Sequence, residues 1–311
     1  MLHEILAQAS EARADIGRAL AWGFDGTFGR GGHTRELLRA HPELRMVAFD
    51  QDEDAIRFGH ENFADEIASG RLTLVRSNFE NMSEARERLQ GAMGFDFMML
   101  DLGVSSPQLD VAARGFSFYH DGPLDMRMDD RLKRTAAQIV NEYDENELAR
   151  VFTELGEVAS PFKVLRAIVN DRKTTPFTST KQLAGLIERV DGWAKKGFHP
   201  ATQYFMALRL EVNRELDVVE RALPEALKQL APNGRLAVIT FHSLEDRVVK
   251  DFGRARARDY TFTGGVDVPE LREPRAPELK LVTRKAIPPG AAEVAQNPRS
   301  RSAQLRVFER L

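Results

Sequence analysis

A glycine-rich segment between a predicted strand and a predicted helix constrains this chain more than any other feature. Four glycines occupy seven positions, from Gly26 to Gly32, directly after an apolar stretch that ends at Asp25. Glycine allows positive φ angles and lets a ligand approach the backbone without meeting a Cβ atom. The free N–H groups that begin the next helix then face the space above the strand. The segment, with Gly29, Gly31 and Gly32 at its centre, predicts a ligand-binding turn.

A second acidic residue narrows the ligand class. Asp50 ends the apolar run 46–49, and an acid about 20 residues after such a turn is well placed to bind two ribose hydroxyls. Thr34 stands where the dinucleotide pattern needs its third glycine, and no Gly-Lys-Ser/Thr P-loop is present. Asp25 suits a positively charged ligand, and S-adenosylmethionine carries a sulfonium and an ammonium. A glycine turn without any ligand stays the alternative at this point.

The alternation of apolar strands and amphipathic helices predicts a parallel α/β sheet. Strands are predicted at 21–25, 45–50, 71–75 and 95–101, with helices between them. Ligands of such sheets lie over the carboxyl ends of the strands. We therefore expect the residues at or just after four strand ends to share one edge, namely Asp25, Asp50, Phe79 and Asp101.

The pattern changes after Asp101, where a long loop at 102–130 is followed by four predicted helices without a strand. This run predicts an inserted all-helical subdomain over 106–211, interrupting an α/β domain formed by 1–105 and 212–311. The alternation resumes with predicted helices at 200–213 and 215–230, bent or broken near Pro224, and with strands at 235–241 and 303–309. Ser243 is the predicted cap of the helix after the fifth strand.

Composition excludes several classes of protein. The chain has 311 residues, no cysteine and a formal net charge of −3, so neither disulfides nor thiolate metal sites are expected. Its seven histidines form no ligand pair, and no metal is predicted. No apolar run approaches the ~18 residues of a membrane span, and the start lacks signal-peptide features. We expect a cytoplasmic protein without a membrane partner.

The segment from Asp101 to Asp110 has the groups needed to methylate a base amine. The lone pair of such an amine is delocalised into the ring, so acceptors must hold its N–H bonds and direct the nitrogen towards the methyl donor. Asp101, Ser105 and Ser106 offer acceptor oxygens. An Asp-capped turn before a helix is the alternative for Asp101 alone.

Arginines interleaved with aromatic residues follow this segment. Arg114, Phe116, Phe118 and Arg127 suit stacking on unpaired bases. A folded loop with internal Asp–Arg pairs is equally compatible with Arg127 and its neighbour Asp125.

Two further groups are predicted substrate contacts. His242 follows the fifth predicted strand and can approach the same cleft, although a helix start explains most of its motif. Arg299 and Arg301, before the last strand, form a basic turn suited to phosphate.

Seven motifs resemble one family over nearly the whole chain. The motifs are Asp-Gly-Thr-Phe-Gly-Arg-Gly-Gly-His at 25–33, Asp-Leu-Gly-Val-Ser-Ser-Pro-Gln-Leu-Asp at 101–110, Arg-Gly-Phe-Ser-Phe at 114–118, Asp-Gly-Pro-Leu-Asp-Met-Arg-Met-Asp at 121–129, His-Pro-Ala-Thr at 199–202, Phe-His-Ser-Leu-Glu-Asp-Arg at 241–247 and Asn-Pro-Arg-Ser-Arg-Ser at 297–302. In these motifs the chain resembles the bacterial 16S ribosomal RNA cytosine-N4 methyltransferases, the MraW family.

The resemblance implies a Rossmann-like methyltransferase sheet of seven mostly parallel strands with a helical insertion. It implies methylation of one cytosine amine in the decoding centre of 16S rRNA, within the small ribosomal subunit. The cytosine is expected near Asp101 and the run Ser105, Ser106 and Pro107. The implied S-adenosylmethionine contacts are Gly31, Gly32, His33, Asp50, Phe79, Asp101 and Gln108.

Two departures from the family pattern are visible. The usual His-Pro-Val-Leu-Leu start appears only as Leu2-His3-Glu4-Ile5-Leu6, and Met206 stands where Gln is usual. Two other functions stay open on the sequence: methylation of a different nucleic-acid base amine, and a non-catalytic RNA-binding assembly factor. The sequence also leaves open a homodimer, and whether the substrate is naked rRNA or an assembled subunit.

Overall fold

A computed structural model describes residues 1–192, 199–262 and 267–311 of the chain. It contains two compact units. Met1–Gly103 together with Leu216–Leu311 form the first, called the sheet unit below, and Val104–Glu215 form the second, called the inserted unit. These boundaries differ by a few residues from those expected at 105/106 and 211/212.

A seven-stranded sheet is the framework of the sheet unit. The strands in the described ranges are β1 (Trp22–Asp25), β2 (Arg45–Asp50), β3 (Leu72–Arg76), β4 (Phe95–Asp101), β5 (Leu230–Thr240), β6 (Tyr260–Phe262), β7 (Arg272–Pro274), β8 (Leu279–Leu281) and β9 (Gln304–Arg310). The sheet order is β3-β2-β1-β4-β5-β9-β8, and β6 pairs with β7 separately. The first five strands are parallel, while β9 runs antiparallel to both β5 and β8. The predicted mostly parallel α/β sheet is confirmed.

Helices precede, connect and follow these strands. In the described ranges they are α1 (Leu2–Ile16), α2 (Gly32–Ala40), α3 (Glu53–Asn62), α4 (Ala64–Ala68), α5 (Ser106–Asp110), α6 (Ala136–Glu142), α7 (Glu145–Arg150), α8 (Phe162–Asp171), α9 (Thr180–Asp191), α10 (Ala201–Asn213), α11 (Glu215–Gln229), α12 (Ser243–Arg256) and α13 (Ala291–Gln296). Short 3₁₀ segments lie at Phe79–Arg88, Ala112–Arg114, Pro269–Leu271 and Pro298–Ser302, and a π turn at Val151–Leu155. No helix in the described ranges is long and apolar enough to cross a membrane.

One predicted helix break is absent and one predicted helix cap is wrong. α11 continues through Pro224, whereas the separation predicted between 213 and 215 lies at Arg214, whose left-handed φ of 52° ends α10. The predicted cap Ser243 is the first residue of α12, and His242 occupies the N-cap position. His242 is extended there, with φ −141° and ψ 165°, so the helix begins one residue earlier than the polar pattern indicates.

The central strand β4 is buried on both faces, as parallel strands covered by helices are. Met98 and Leu100 join the core on one face, while Phe97 and Met99 join the core on the other; all four have no exposed surface. The inserted unit has its own apolar core, supplied by its helices and by the loop before α6. Each unit therefore has the buried surface that a compact fold requires.

A buried carboxylate fixes the start of β1 beside β4. Asp96, only 1% exposed, accepts hydrogen bonds from the Arg18 guanidinium at 2.7 and 3.0 Å and from the backbone N–H groups of Ala21 and Trp22. The register that follows pairs Asp25 with Met99. This pairing brings the carboxyl ends of β1 and β4 to the same edge of the sheet.

Candidate active site

The glycine-rich segment is a loop tied to two strands; we call residues 26–32 the glycine loop. The N–H of Gly26 donates to the carbonyl of Met99 at 3.0 Å, and the N–H of Phe28 donates to that of Phe49 at 2.9 Å. The N–H of Asp101 donates to the Thr27 hydroxyl at 2.7 Å. The loop therefore has a fixed position relative to the ends of β2 and β4.

The glycines of this loop are required for different reasons. Gly29 and Gly31 have φ of 54° and 67°, the left-handed region. A Cβ atom at Gly31 would also overlap the ring of Phe63, whereas one at Gly32 would meet no atom within 4 Å. Gly32 begins α2 and is exposed. Its backbone therefore borders open space that a ligand can enter.

Asp25 lies inside the glycine loop. Its carboxylate is 1% exposed and accepts hydrogen bonds from the Thr27 N–H at 3.0 Å and the Thr34 hydroxyl at 2.6 Å. Burial raises the pKa of Asp25, against the opposing effect of these bonds. The sequence predicts a direct cofactor contact here; the structure uses both carboxylate oxygens to hold the loop.

Asp50 connects the glycine loop to the end of β2. Its carboxylate accepts hydrogen bonds from the N–H groups of Gly29 at 2.7 Å and Asp52 at 2.8 Å. Burial raises the pKa of Asp50 to about 6, although these two bonds act in the opposite direction. Each carboxylate oxygen can accept a further hydrogen bond. Asp50 is thus able to bind hydroxyl groups while it holds the loop.

Phe79 follows β3 and begins a 3₁₀ segment capped by Asn78. It is partly buried, and its Cβ lies 2.9 Å from where a Cβ on Gly26 would be. The structure thus confirms the expectation that the residues after β1 and β3 come together at the carboxyl edge.

His33 and Asp101 face each other at this edge. Nε2 of His33 lies 3.6 Å from Oδ2 of Asp101. Burial opposes protonation of His33, but its bond to Asp101 and the charges of Asp101 and Asp25 outweigh that effect and raise the pKa of His33. Oδ1 of Asp101 and Nδ1 of His33 are buried and have no hydrogen-bond partner in the described part of the chain. Buried polar atoms of this kind normally have a partner, so both are open to a bound molecule.

These observations fit S-adenosylmethionine. The open backbone at Gly32 and the acceptor Asp50 provide small, polar and negatively charged surroundings for a positively charged nucleoside. No group of three or more His, Asp or Glu side chains in the described ranges is arranged to hold a metal ion.

His242 follows β5 and is paired with a buried acid that the sequence analysis missed. Nε2 of His242 lies 3.1 Å from Oε1 of Glu245, and Glu245 is 1% exposed. The other carboxylate oxygen accepts the N–H of Phe241 at 3.0 Å. Neither ring nitrogen of His242 has a hydrogen bond of good geometry within the described ranges. The sequence signal for this pair is the three-residue spacing of His242 and Glu245. Acidic residues are common in the first turn of a helix, so this spacing alone does not indicate a pair.

The predicted residues of the inserted unit are described separately. Ser105 is the N-cap of α5 and forms a capping box with Gln108, whose side chain accepts the Ser105 N–H at 2.9 Å. Pro107 lies in the first turn, and Ser106 is exposed. Ser105 therefore caps this helix, whereas the alternative interpretation of Asp101 predicted an Asp-capped turn before it.

The two arginines of the long loop bind groups of that same loop. Nε and Nη2 of Arg127 each lie 2.8 Å from the carboxylate of Asp125, and Nη1 donates to the carbonyl of Leu132. Arg114 donates to the carbonyls of Arg127 and Met128. The internal Asp–Arg pair, the alternative to an RNA contact, is present for Arg127.

The aromatic residues of this loop differ in exposure. Phe116 is 7% exposed and belongs to the core of the inserted unit, so its ring is already covered by protein. Phe118 packs on His199 at 4.4 Å between ring centroids and on Tyr119 at 4.9 Å. Tyr119 is 72% exposed, so the aromatic cluster reaches the surface through a residue that the sequence analysis did not select.

The two arginines before β9 lie in the sheet unit. Arg299 and Arg301 belong to the exposed 3₁₀ segment Pro298–Ser302. A phosphate contact of these two arginines stays a prediction.

A sheet of this order, with a glycine loop after β1, an acid at the end of β2 and another at the end of β4, defines the Rossmann-like methyltransferases. A model of the MraW methylase family matches residues 5–311. The chain belongs to this family.

Three relatives show the extent of the similarity; each bears the name ribosomal RNA small subunit methyltransferase H. The protein of Bdellovibrio bacteriovorus is 52% identical over 287 residues, covering 92% of this chain and 80% of the relative. That of Azorhizobium caulinodans is 47% identical over 311 residues, covering 100% of this chain and 86% of the relative. That of Shewanella amazonensis is 46% identical over 288 residues, covering 92% and 90%.

These comparisons confirm the family resemblance drawn from the seven motifs. The family consists of S-adenosylmethionine-dependent methyltransferases, so the predicted cofactor is confirmed at the level of the family.

Proposed function

We propose that this protein transfers a methyl group from S-adenosylmethionine to the N4 amine of a cytosine in the decoding centre of 16S rRNA. The family and the names of the relatives support a substrate in the RNA of the small ribosomal subunit, and we place the reaction in the cytoplasm. The observation that carries the proposal is Oδ1 of Asp101, a buried acceptor without a partner in the described ranges, at the end of β4.

The cofactor, when bound, supplies a methyl group on a positively charged sulfur. Gly31 and Gly32 would let it approach the start of α2, and Asp50 would accept hydrogen bonds from its ribose, beside Phe79. His33 would contact the cofactor at the same carboxyl edge of the sheet. The contacts predicted for Gln108, Ser105, Ser106 and Pro107 remain predictions from the sequence.

Asp101 would accept one N–H of the cytosine amine through Oδ1. This bond turns the amine so that its nitrogen lone pair points at the methyl group, an orientation that planar cytosine does not favour in water. Nε2 of His33 lies 3.6 Å from the other carboxylate oxygen, so a protonated His33 attracts that oxygen and favours this orientation of the acid. Bringing an unpaired base to such a site costs only a few kcal/mol when the RNA is already single-stranded there.

The test is methyl transfer from labelled S-adenosylmethionine to small subunits that lack the modification. We expect the wild-type protein to label them, and Asp101→Ala to lose transfer while it still binds S-adenosylhomocysteine in calorimetry. Near-normal transfer by Asp101→Ala would remove the role of this acid. Mass spectrometry of the labelled rRNA then locates the methyl group.

Two results would replace the proposal by another function. Labelling of duplex DNA, with none of the 16S RNA, would indicate a different base amine as substrate. Binding of small subunits without any S-adenosylmethionine binding would indicate a non-catalytic assembly factor.

A further inference from the structure

We infer that His242, supported by Glu245, accepts the proton that the substrate amine releases. This inference rests on the proposed function and assigns a step of it to a particular nitrogen, Nδ1 of His242. It starts from a side chain that is 12% exposed and whose buried ring nitrogens lack well-formed hydrogen bonds in the described ranges, although a buried carboxylate is 3.1 Å away.

The chain segment that holds His242 runs beside the segment that holds Asp101. β4 and β5 are parallel neighbours, and Asp101 is paired with Ile239. The N–H of Leu102 donates to the carbonyl of Ile239 at 2.9 Å, and the ring of Phe241 lies 3.5 Å from where a Cβ on Gly103 would be. His242 follows this pairing directly and lies at the same carboxyl edge as Asp101.

Glu245 determines which ring nitrogen of His242 is basic. A carboxylate 3.1 Å from Nε2 favours a proton on that nitrogen, which leaves the lone pair on Nδ1. Glu245 is itself fixed, because it is buried on α12 and accepts the N–H of Phe241. Nδ1 is then a buried acceptor without a donor in the described ranges. Such an acceptor is costly to maintain, and a donor that arrives with the substrate removes the cost.

The same pair makes a charged His242 tolerable. The N-terminus of α12 alone disfavours a cation at the N-cap position. Glu245 compensates with its negative charge at 3.1 Å, whereas the neighbouring Asp246 is occupied by Arg306 at 2.7 and 2.9 Å. The carboxylate of Glu245 is therefore the one placed beside His242 to stabilise the imidazolium.

The proposed step balances in atoms and charge. The amine nitrogen forms a bond to the methyl carbon while the carbon–sulfur bond breaks, and the bonding pair leaves on sulfur as a neutral thioether. The nitrogen then carries a positive charge and two hydrogens. One of these protons passes to Nδ1 of His242. The products are a neutral N4-methylated cytosine and an imidazolium beside the carboxylate of Glu245.

The substitution His242→Asn tests this assignment. Asn retains a polar group close to the position of Nδ1 but cannot take up a proton. We expect its single-turnover rate of methyl transfer to fall by about 10²–10⁴-fold, the usual contribution of a positioned acid–base group. The affinities for S-adenosylhomocysteine and for small subunits should stay within about twofold of wild type, because binding does not need a base.

Matched variants separate a chemical role from a structural one. His60→Asn changes an exposed histidine of α3 in the same way and should transfer at the wild-type rate. Glu245→Gln should also lower the rate, and the double variant should be little worse than His242→Asn, because two residues that act as a unit have non-additive effects.

The outcomes distinguish this inference from the proposed function. If wild-type protein labels small subunits and His242→Asn labels them within about threefold of that rate, the inference is wrong and the proposed function stands. The inference is also wrong if weaker binding of S-adenosylhomocysteine or of small subunits explains the whole loss of methyl transfer in His242→Asn. Should His242→Asn fail to bind S-adenosylhomocysteine, His242→Gln is measured in its place by the same criteria. If wild-type protein labels no RNA, the proposed function fails and this step fails with it.

Discussion

Three acidic residues at strand ends have the same sequence context and different surroundings. Asp25 and Asp50 each accept one hydrogen bond at each oxygen, but Asp25 is buried and Asp50 is partly exposed, whereas Asp101 keeps one oxygen without a partner in the described ranges. Each follows an apolar strand, so the pattern predicts their common edge but not their separate roles. Those depend on backbone N–H groups whose direction only the folded loop defines.

The raised pKa of Asp50 predicts a pH-dependent cofactor affinity. Its ionised form accepts the ribose hydroxyls, and burial raises the pKa of Asp50 to about 6. Affinity for S-adenosylhomocysteine should therefore fall as pH decreases through about 6, by up to about tenfold per unit below it. The effect on folding has the opposite sign, because a raised carboxyl pKa favours the folded state below the unfolded pKa and loses that contribution as pH rises through 6. Calorimetry from pH 5 to 8 measures the first effect.

Asp50→Asn provides the comparison for that titration. The amide should weaken binding by about 1.5–3 kcal/mol, the usual value for hydrogen bonds to a charged group, and should flatten the pH profile. Any dependence that remains belongs to His33, whose pKa is also raised. An unchanged profile in Asp50→Asn would exclude Asp50 as the titrating group.

At the scale of elements, strands were easier to predict than the positions of caps and turns. The long buried strands β2 and β4 were evident from their apolar runs, but the start of α12 and the continuation of α11 through Pro224 were not. The N-cap is the residue whose backbone is extended immediately before the helix. Several neighbouring polar residues could each occupy that position, so the sequence does not select one of them. The Arg127–Asp125 pair likewise depends on loop geometry, so the sequence supported both interpretations equally.

Two neighbouring glycines of the glycine loop predict opposite outcomes for the same substitution. Gly31→Ala requires a left-handed alanine, at about 1–2 kcal/mol, and an overlap with Phe63, at about 1–3 kcal/mol more. We expect it to reduce the free energy of unfolding in urea by about 2–5 kcal/mol.

Gly32→Ala is the matched control for the loop. A Cβ atom there meets nothing within 4 Å, so the free energy of unfolding should change by less than about 1 kcal/mol. Its affinity for S-adenosylhomocysteine should nevertheless fall, because the Cβ occupies the space proposed for the cofactor. Unchanged affinity in Gly32→Ala would place the cofactor elsewhere.

The carboxylate that fixes β1 beside β4 predicts a stability effect. Asp96→Ala leaves the N–H groups of Ala21 and Trp22 without their acceptor, and each unsatisfied group costs about 1–3 kcal/mol when buried. We expect a loss of about 2–4 kcal/mol in urea unfolding. Arg18→Ala removes only a half-exposed partner of the same acid and should cost clearly less; equal losses would contradict this account.

At the scale of the molecule, the sequence predicts an inserted subdomain because the alternation of strands and helices stops after Asp101 and a run of helices begins. Strands alternate with helices up to Asp101, and helices alone follow until the sheet resumes at β5. The antiparallel direction of β8 and β9 could not be obtained in this way, because an alternating apolar pattern predicts a strand but not its direction in the sheet. The Glu245 partner of His242 was missed for a related reason: its burial is a property of the assembled sheet unit.

A net charge of −3 predicts that RNA binding depends on local basic groups. Arg301 is exposed before β9, and if it contacts phosphate, Arg301→Ala should weaken subunit binding and reduce the slope of log affinity against log salt by about 1. Cofactor affinity should not change. Arg39→Ala, which removes a 78% exposed arginine from α2, should leave the subunit affinity and the salt slope unchanged. An equal effect of the two substitutions would indicate that the total charge of the protein, and not a contact of Arg301, determines RNA binding.

The insertion separates two strands that lie side by side. β4 ends at Asp101, and its partner β5 starts at Leu230, so a ribosome adding about 5–20 residues per second takes about 6–26 s to make the roughly 130 residues between them. During that interval one edge of a mostly apolar strand has no neighbour, which is a template for aggregation. A nascent chain halted after residue 103 should therefore aggregate, and the speed of translation through the insertion sets how long every new copy is exposed to that risk.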